Sequence, residues 1–137
     1  MRLLIAATIA LLCTTAAFAR TKAGQKAGVE FSEMVYDFGN VSEDAAPIVH
    51  EFTYTNTGDG PVAVLWAKAS CGCTSPAYDR KPLKPGAKGT IKVKFIPIGQ
   101  RGEVDKNVRV RFKNSAGRSE EVTLRLVGTV TPKVRKK

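Results

Sequence analysis

Apolar and polar residues alternate with period two along much of this chain, the pattern of strands with one buried face. Phe52 and Tyr54 alternate with Glu51, Thr53 and Thr55 in a strand predicted over 48–55. Ile91, Val93 and Phe95 alternate with Lys92 and Lys94 over 89–98. Val108, Val110 and Phe112 alternate with Arg109 and Arg111 over 104–112, and Val122, Leu124 and Leu126 with Thr123 and Arg125 over 121–130. The run 62–69 is apolar on both faces, as in a strand between two layers, with Trp66 expected as a core anchor. A first strand is predicted over 29–36, running into Asp37-Phe38-Gly39-Asn40, and a further one within 74–83. Gly58-Asp59-Gly60-Pro61 and Asn114-Ser115-Ala116-Gly117 are turn sequences, and Pro85-Gly86 suits the inner positions of a type II turn. No window shows a helical period. About seven short antiparallel strands predict an all-β, immunoglobulin-like sandwich over residues 29–131. Its core is expected around Phe38, Phe52, Tyr54, Trp66, Phe95 and Phe112, held by packing, because no cysteine pair is placed to tie the two sheets.

The ends read differently. Arg2, the apolar run Leu3–Leu12 and the small-x-small site Ala17-Phe18-Ala19 form a secretory signal over residues 1–19, too short to span a bilayer. The expected location is therefore periplasmic or extracellular, with no transmembrane segment in the mature chain. Cys13 falls inside the signal and follows Leu12, not the small residue that lipid attachment prefers. Residues 20–28 read as a flexible arm and 132–137 as a basic tail. Cleavage after Ala19 leaves 118 of 137 residues, one domain of ordinary size.

Charge changes this picture more than composition does. The formal net charge is +10. Residues 20–79 hold four basic and eight acidic side chains, whereas 80–137 hold seventeen basic and four acidic. Inside a cell such a cation would point to nucleic acid. In an exported chain the expected partner is an envelope protein or an anionic envelope polymer, and no nucleic acid. Lys92, Lys94, Arg109, Arg111 and Arg125 are the candidate surface for it, as one basic face if their strands share a sheet and as two if they do not.

Cys71 and Cys73 are the remaining candidate chemistry. Residues two apart in an extended strand sit about 6.6–6.8 Å apart, at the limit of disulfide reach. Gly72 could close the gap through a positive φ. Four readings fit: two buried, inert thiols; a strained disulfide with no redox duty; a redox pair exchanging with a partner thiol, helped by Arg80 and Lys81; or a soft-metal site completed by His50. His50, the single histidine, lies on the Phe52 side of its strand and reads first as a hydrogen-bonded core-edge residue. No serine has a motif-marked histidine and acid, no Gly-rich phosphate loop occurs, and no cofactor is called for. Pro97 suggests a blunted edge strand. The reading is of a non-enzymatic module.

Tyr36-Asp37-Phe38-Gly39, then Phe52-Thr53-Tyr54-Thr55-Asn56-Thr57-Gly58, Ser70-Cys71-Gly72-Cys73-Thr74, Leu83-Lys84-Pro85-Gly86 and Leu126-Val127-Gly128 follow one another in this order. Together they resemble the bacterial domain-of-unknown-function family numbered 1573, itself similar to the Ig-like modules of the ASPM, SPD-2 and hydin group. The resemblance runs from about Val29 to Thr131, and Ser-Cys-Gly-Cys-Thr is its most specific part. It implies an exported Ig-like domain and no established activity.

Overall fold

In a computed structural model of the chain, residues 27–134 are described, and they form two four-stranded sheets packed face to face. The strands are β1 (Val29–Phe31), β2 (Val35–Ser42), β3 (Ile48–Asn56), β4 (Val62–Ala69), β5 (Thr74–Tyr78), β6 (Lys88–Phe95), β7 (Gly102–Asn114) and β8 (Ser119–Thr131). One sheet has the order β1-β3-β6-β5, the other β2-β8-β7-β4. The signal expected over residues 1–19 with its Cys13, residues 20–26 of the expected arm, and residues 135–137 lie outside the described residues.

The expected all-β, Ig-like sandwich is what forms, with two refinements. The first predicted strand is two strands. Ser32 N still donates to Thr53 O of β3, but Met34 O already accepts from Arg125 N of β8. The chain therefore crosses between sheets within three residues. β2 then runs parallel to β8, whereas every other strand pair is antiparallel. The domain also begins earlier than the alternation indicates. Ala27 is buried in the core, and Gly28, at φ 84°, packs so closely on Gly58 that a Cβ there would sit 2.9 Å from its backbone.

Inward residues of the alternating strands fill the centre. Phe52, Ile91, Val93, Phe95, Val108, Val110, Phe112, Leu124 and Leu126 are fully buried. Each large side chain contributes about 1.5–3 kcal/mol on leaving water. Phe38 reaches this core from β2 by stacking on Phe95 (centroids 5.3 Å apart) and lying against the bare backbone of Gly128. Asn56, buried at the end of β3, donates to Gly60 O and Leu83 O and accepts from Gly58 N, all at 2.9 Å. It thereby holds the turn after β3 against the β5–β6 connection.

Trp66 is not the core anchor expected from the apolar run. The register of β4 on β7 slips at Leu65, so that Val64 faces Phe112 while Trp66 faces Arg111 and Lys68 faces Arg109. This β-bulge inserts one residue and carries Trp66 to the outer face. Pro97 also differs from expectation: it is buried and follows the end of β6, an interior strand, and it is Pro76 that sits on an edge strand, β5.

Candidate functional site

Cys71 and Cys73 occupy the turn that carries the chain from the end of β4 in one sheet to the start of β5 in the other. They are joined by a disulfide, with Cα atoms 5.4 Å apart. Gly72 does not take a positive φ. The short separation comes instead from a tight turn in which Thr74 N donates to Cys71 O at 3.3 Å. A Cβ on Gly72 would meet nothing within 4 Å, so the turn does not need a glycine for space.

Both flanks of the turn are fastened. Ser70 N donates to Asn107 O (2.8 Å) and Asn107 N to Ser70 Oγ (3.2 Å), while Ile96 N donates to Cys73 O (2.9 Å). The two sulfurs are not equivalent. Cys73 packs against the hydrophobic core, and Cys71 does not. The hydroxyl of buried Thr74 lies 3.7 Å from Cys71 Sγ and 3.8 Å from Cys73 Sγ, within reach of either.

The other residues considered with the cysteines are elsewhere. Arg80 and Lys81 follow the far end of β5, where Arg80 lies over the Tyr78 ring. His50 is on β3, separated from β5 by β6, stacked on Tyr36 at 3.7 Å and hydrogen-bonded to Glu33. Among the described residues no group of three or more His, Cys, Asp or Glu is placed to hold a metal ion.

The five basic candidates divide between the two sheets. Lys92 and Lys94 project from β6 on one outer face, where Lys92 pairs with Glu51 at 3.1 Å. Arg109, Arg111 and Arg125 project from β7 and β8 on the other. There Arg109 and Arg111 share the single carboxylate of Glu121 (3.4 and 3.6 Å), and Arg125 pairs with Asp105 at 2.5 Å. The guanidinium of Arg125 holds the Asp105 carboxyl below its ordinary value by hydrogen bonding first and charge second.

Trp66 joins this second face and was missed by reading the run 62–69 as buried on both sides. Lys68 Nζ is 5.2 Å and Arg109 Cζ 5.9 Å from its ring, both within cation–π range. The available signal was the two-residue spacing of Trp66 and Lys68: a lysine obliged to face water takes its same-face neighbour with it. A groove of about 270 Å³ lined by Lys68, Ala69, Ser70, Asn107 and Arg109 continues this surface up to the cysteine turn. The opposite end of the face has the opposite sign. Asp37, Glu103 and Asp105 line an open depression of about 670 Å³ between β2, β8 and β7.

Comparison with other proteins agrees with this architecture. Solved structures with the same fold include the ASH / PapD-like domain 7 of human CEP192 (TM-score 0.62, 14% identity, covering 79% of this chain and 88% of that one). They also include the Vibrio cholerae VesB protease (0.61, 17%, 74% and 31%) and the periplasmic chaperone SfaE (0.56, 12%, 78% and 58%). The chain thus spans less than a third of the protease and under two thirds of the chaperone, and at these identities the likeness is one of fold. No curated protein matches the sequence. Residues 29–130 match the family described as protein of unknown function (DUF1573), and the chain belongs to that family.

Proposed function

We propose that this member of the DUF1573 family is an exported, non-enzymatic Ig-like binding module of the cell envelope. It engages an anionic envelope protein or polymer, and no nucleic acid, through the outer face of the β2-β8-β7-β4 sheet. The observation that carries this reading is the cluster of Trp66, Lys68, Arg109 and Arg111 on that face. A half-buried tryptophan on the outer face offers a planar apolar platform, and cations at its rim select negative charge. Arg109 and Arg111 share one carboxylate, so a net positive charge remains between them for a partner. Export is supported by the leader pattern of residues 1–19, and a rigid sandwich presenting a surface is consistent with the PapD-like fold.

The test is a binding series of the mature chain against anionic vesicles, anionic glycans and acidic envelope proteins at low and moderate salt. Association should weaken as salt rises, because exposed charges are screened beyond about 10 Å at 0.1 M. The double variant Arg109→Ala/Arg111→Ala should weaken it about tenfold, and Lys92→Ala/Lys94→Ala, on the other sheet, should leave it nearly unchanged. Salt-independent or absent association, or equal losses from the two doubles, would refute this face as the binding surface.

A further inference from the structure

We infer that the Cys71–Cys73 disulfide is an exchangeable redox bond that accepts two electrons from the dithiol of a partner protein. Cys71 is the sulfur attacked and Cys73 the sulfur released. The inference is independent of the basic face and rests on four observations.

The bridge closes a loop with only one intervening residue, so it removes little freedom from the unfolded chain and is a poor staple. The flanking backbone is fastened without it, by the Ser70–Asn107 pair on one side and Ile96 on the other. Opening the bond therefore leaves the strand ends where they are. The turn sits at the end of the sandwich with Gly72 exposed between the sulfurs, which gives a partner access. Finally, the sulfurs differ in surroundings as an exchange pair requires: Cys73 leans on the core, Cys71 is free of it, and the Thr74 hydroxyl can donate to whichever thiolate is set free.

The chemistry balances within the pair and its partner. A partner thiolate attacks Cys71 Sγ in line with the S–S bond. A mixed disulfide forms and Cys73 leaves as thiolate, taking a proton from water. The partner's second thiolate then attacks its own sulfur in the mixed disulfide, expelling Cys71 as thiolate, which is protonated in turn. The partner departs as a disulfide, two electrons richer chain thiols remain, and a more oxidising disulfide, such as oxidised glutathione, reverses the sequence.

The experiment uses the folded mature chain with dithiothreitol and glutathione as probes, followed by thiol alkylation and intact mass. The native disulfide should be reduced without denaturant, at least about tenfold faster than expected for a buried structural disulfide, with the β circular-dichroism signal unchanged. Cys73→Ser, which keeps Cys71, should take up one glutathione from oxidised glutathione about tenfold faster than Cys71→Ser. A bond that resists dithiothreitol until the chain unfolds, or whose reduction abolishes the β signal, would overturn the proposal. Equal uptake by the two variants would overturn the assignment of roles. The wild-type reduction decides the matter alone should either variant fail to fold.

Discussion

β4 and β6 are both eight-residue strands, yet one carries the candidate binding surface and the other carries the core. β6 lies between β3 and β5 and is hydrogen-bonded on both sides without a register break. Two neighbours fix its register, so its inward residues are Ile91, Val93 and Phe95 without exception. β4 is an edge, bonded along its length to β7 and on its other side only through Val62 to Leu83, and it accommodates an extra residue at Leu65. That residue turns the rest of the strand over and moves Trp66 and Lys68 from one face to the other. A strand held from two sides stores stability, whereas one held from a single side can be re-aimed at a partner.

This contrast can be broken at its strongest point by exchanging large aromatic groups for alanine. Phe95→Ala on β6 should cost about 3–5 kcal/mol in denaturant unfolding. Trp66→Ala on β4 should cost no more than about 1 kcal/mol, while removing the platform for binding. Comparable losses would mean that Trp66 belongs to the core after all. A smaller effect sharpens the comparison from the β6 side. Gly89 faces the ring of Tyr54, and a Cβ there would lie 2.6 Å from the ring's Cζ. Gly89→Ala should therefore destabilise by about 1–3 kcal/mol through overpacking, read as a drop in the denaturation midpoint.

The least effects are expected from ion pairs outside each sheet. Lys92→Ala should change stability by less than about 0.5 kcal/mol, since both Lys92 and Glu51 are over half exposed. Asp105→Asn should give a small loss that depends on pH. Because Arg125 lowers the folded-state pKa of Asp105 from 3.8, its contribution is present above that value and is lost as pH falls through the lowered one. Wild type and variant should therefore differ at neutral pH and converge in acid, in thermal melts taken across that range.

Most of the fold was legible because β3, β6, β7 and β8 each expose one face to water, and charged or hydroxyl residues mark that face at most alternate positions. What escaped was of two kinds. In β4 the residues Val62 to Ala67 are all apolar, so nothing in the run shows where the bulge falls, and only Lys68 betrays the outward side. Between Phe31 and Val35 the link Ser32-Glu33-Met34 holds no glycine, proline or asparagine to mark a break, which hides the crossing from β3 to β8. The cysteine pair was legible as a bond within reach, but for the wrong backbone reason. The closure is a turn hydrogen bond from Thr74 and not a left-handed Gly72. The splitting of the five cations followed from sheet order, which depends on long-range pairing and leaves no local mark in the sequence.

The parallel run of β2 along β8 also decides how the domain answers to tension. The chain enters β2 at one end of the pair and leaves β8 at the other, so a pull between Val35 and Thr131 slides the strands lengthwise. Six residue pairs, from Val35–Arg125 to Ser42–Thr131, then resist together instead of parting one by one. A tether attached at Val35 and Thr131 would load these pairs in shear.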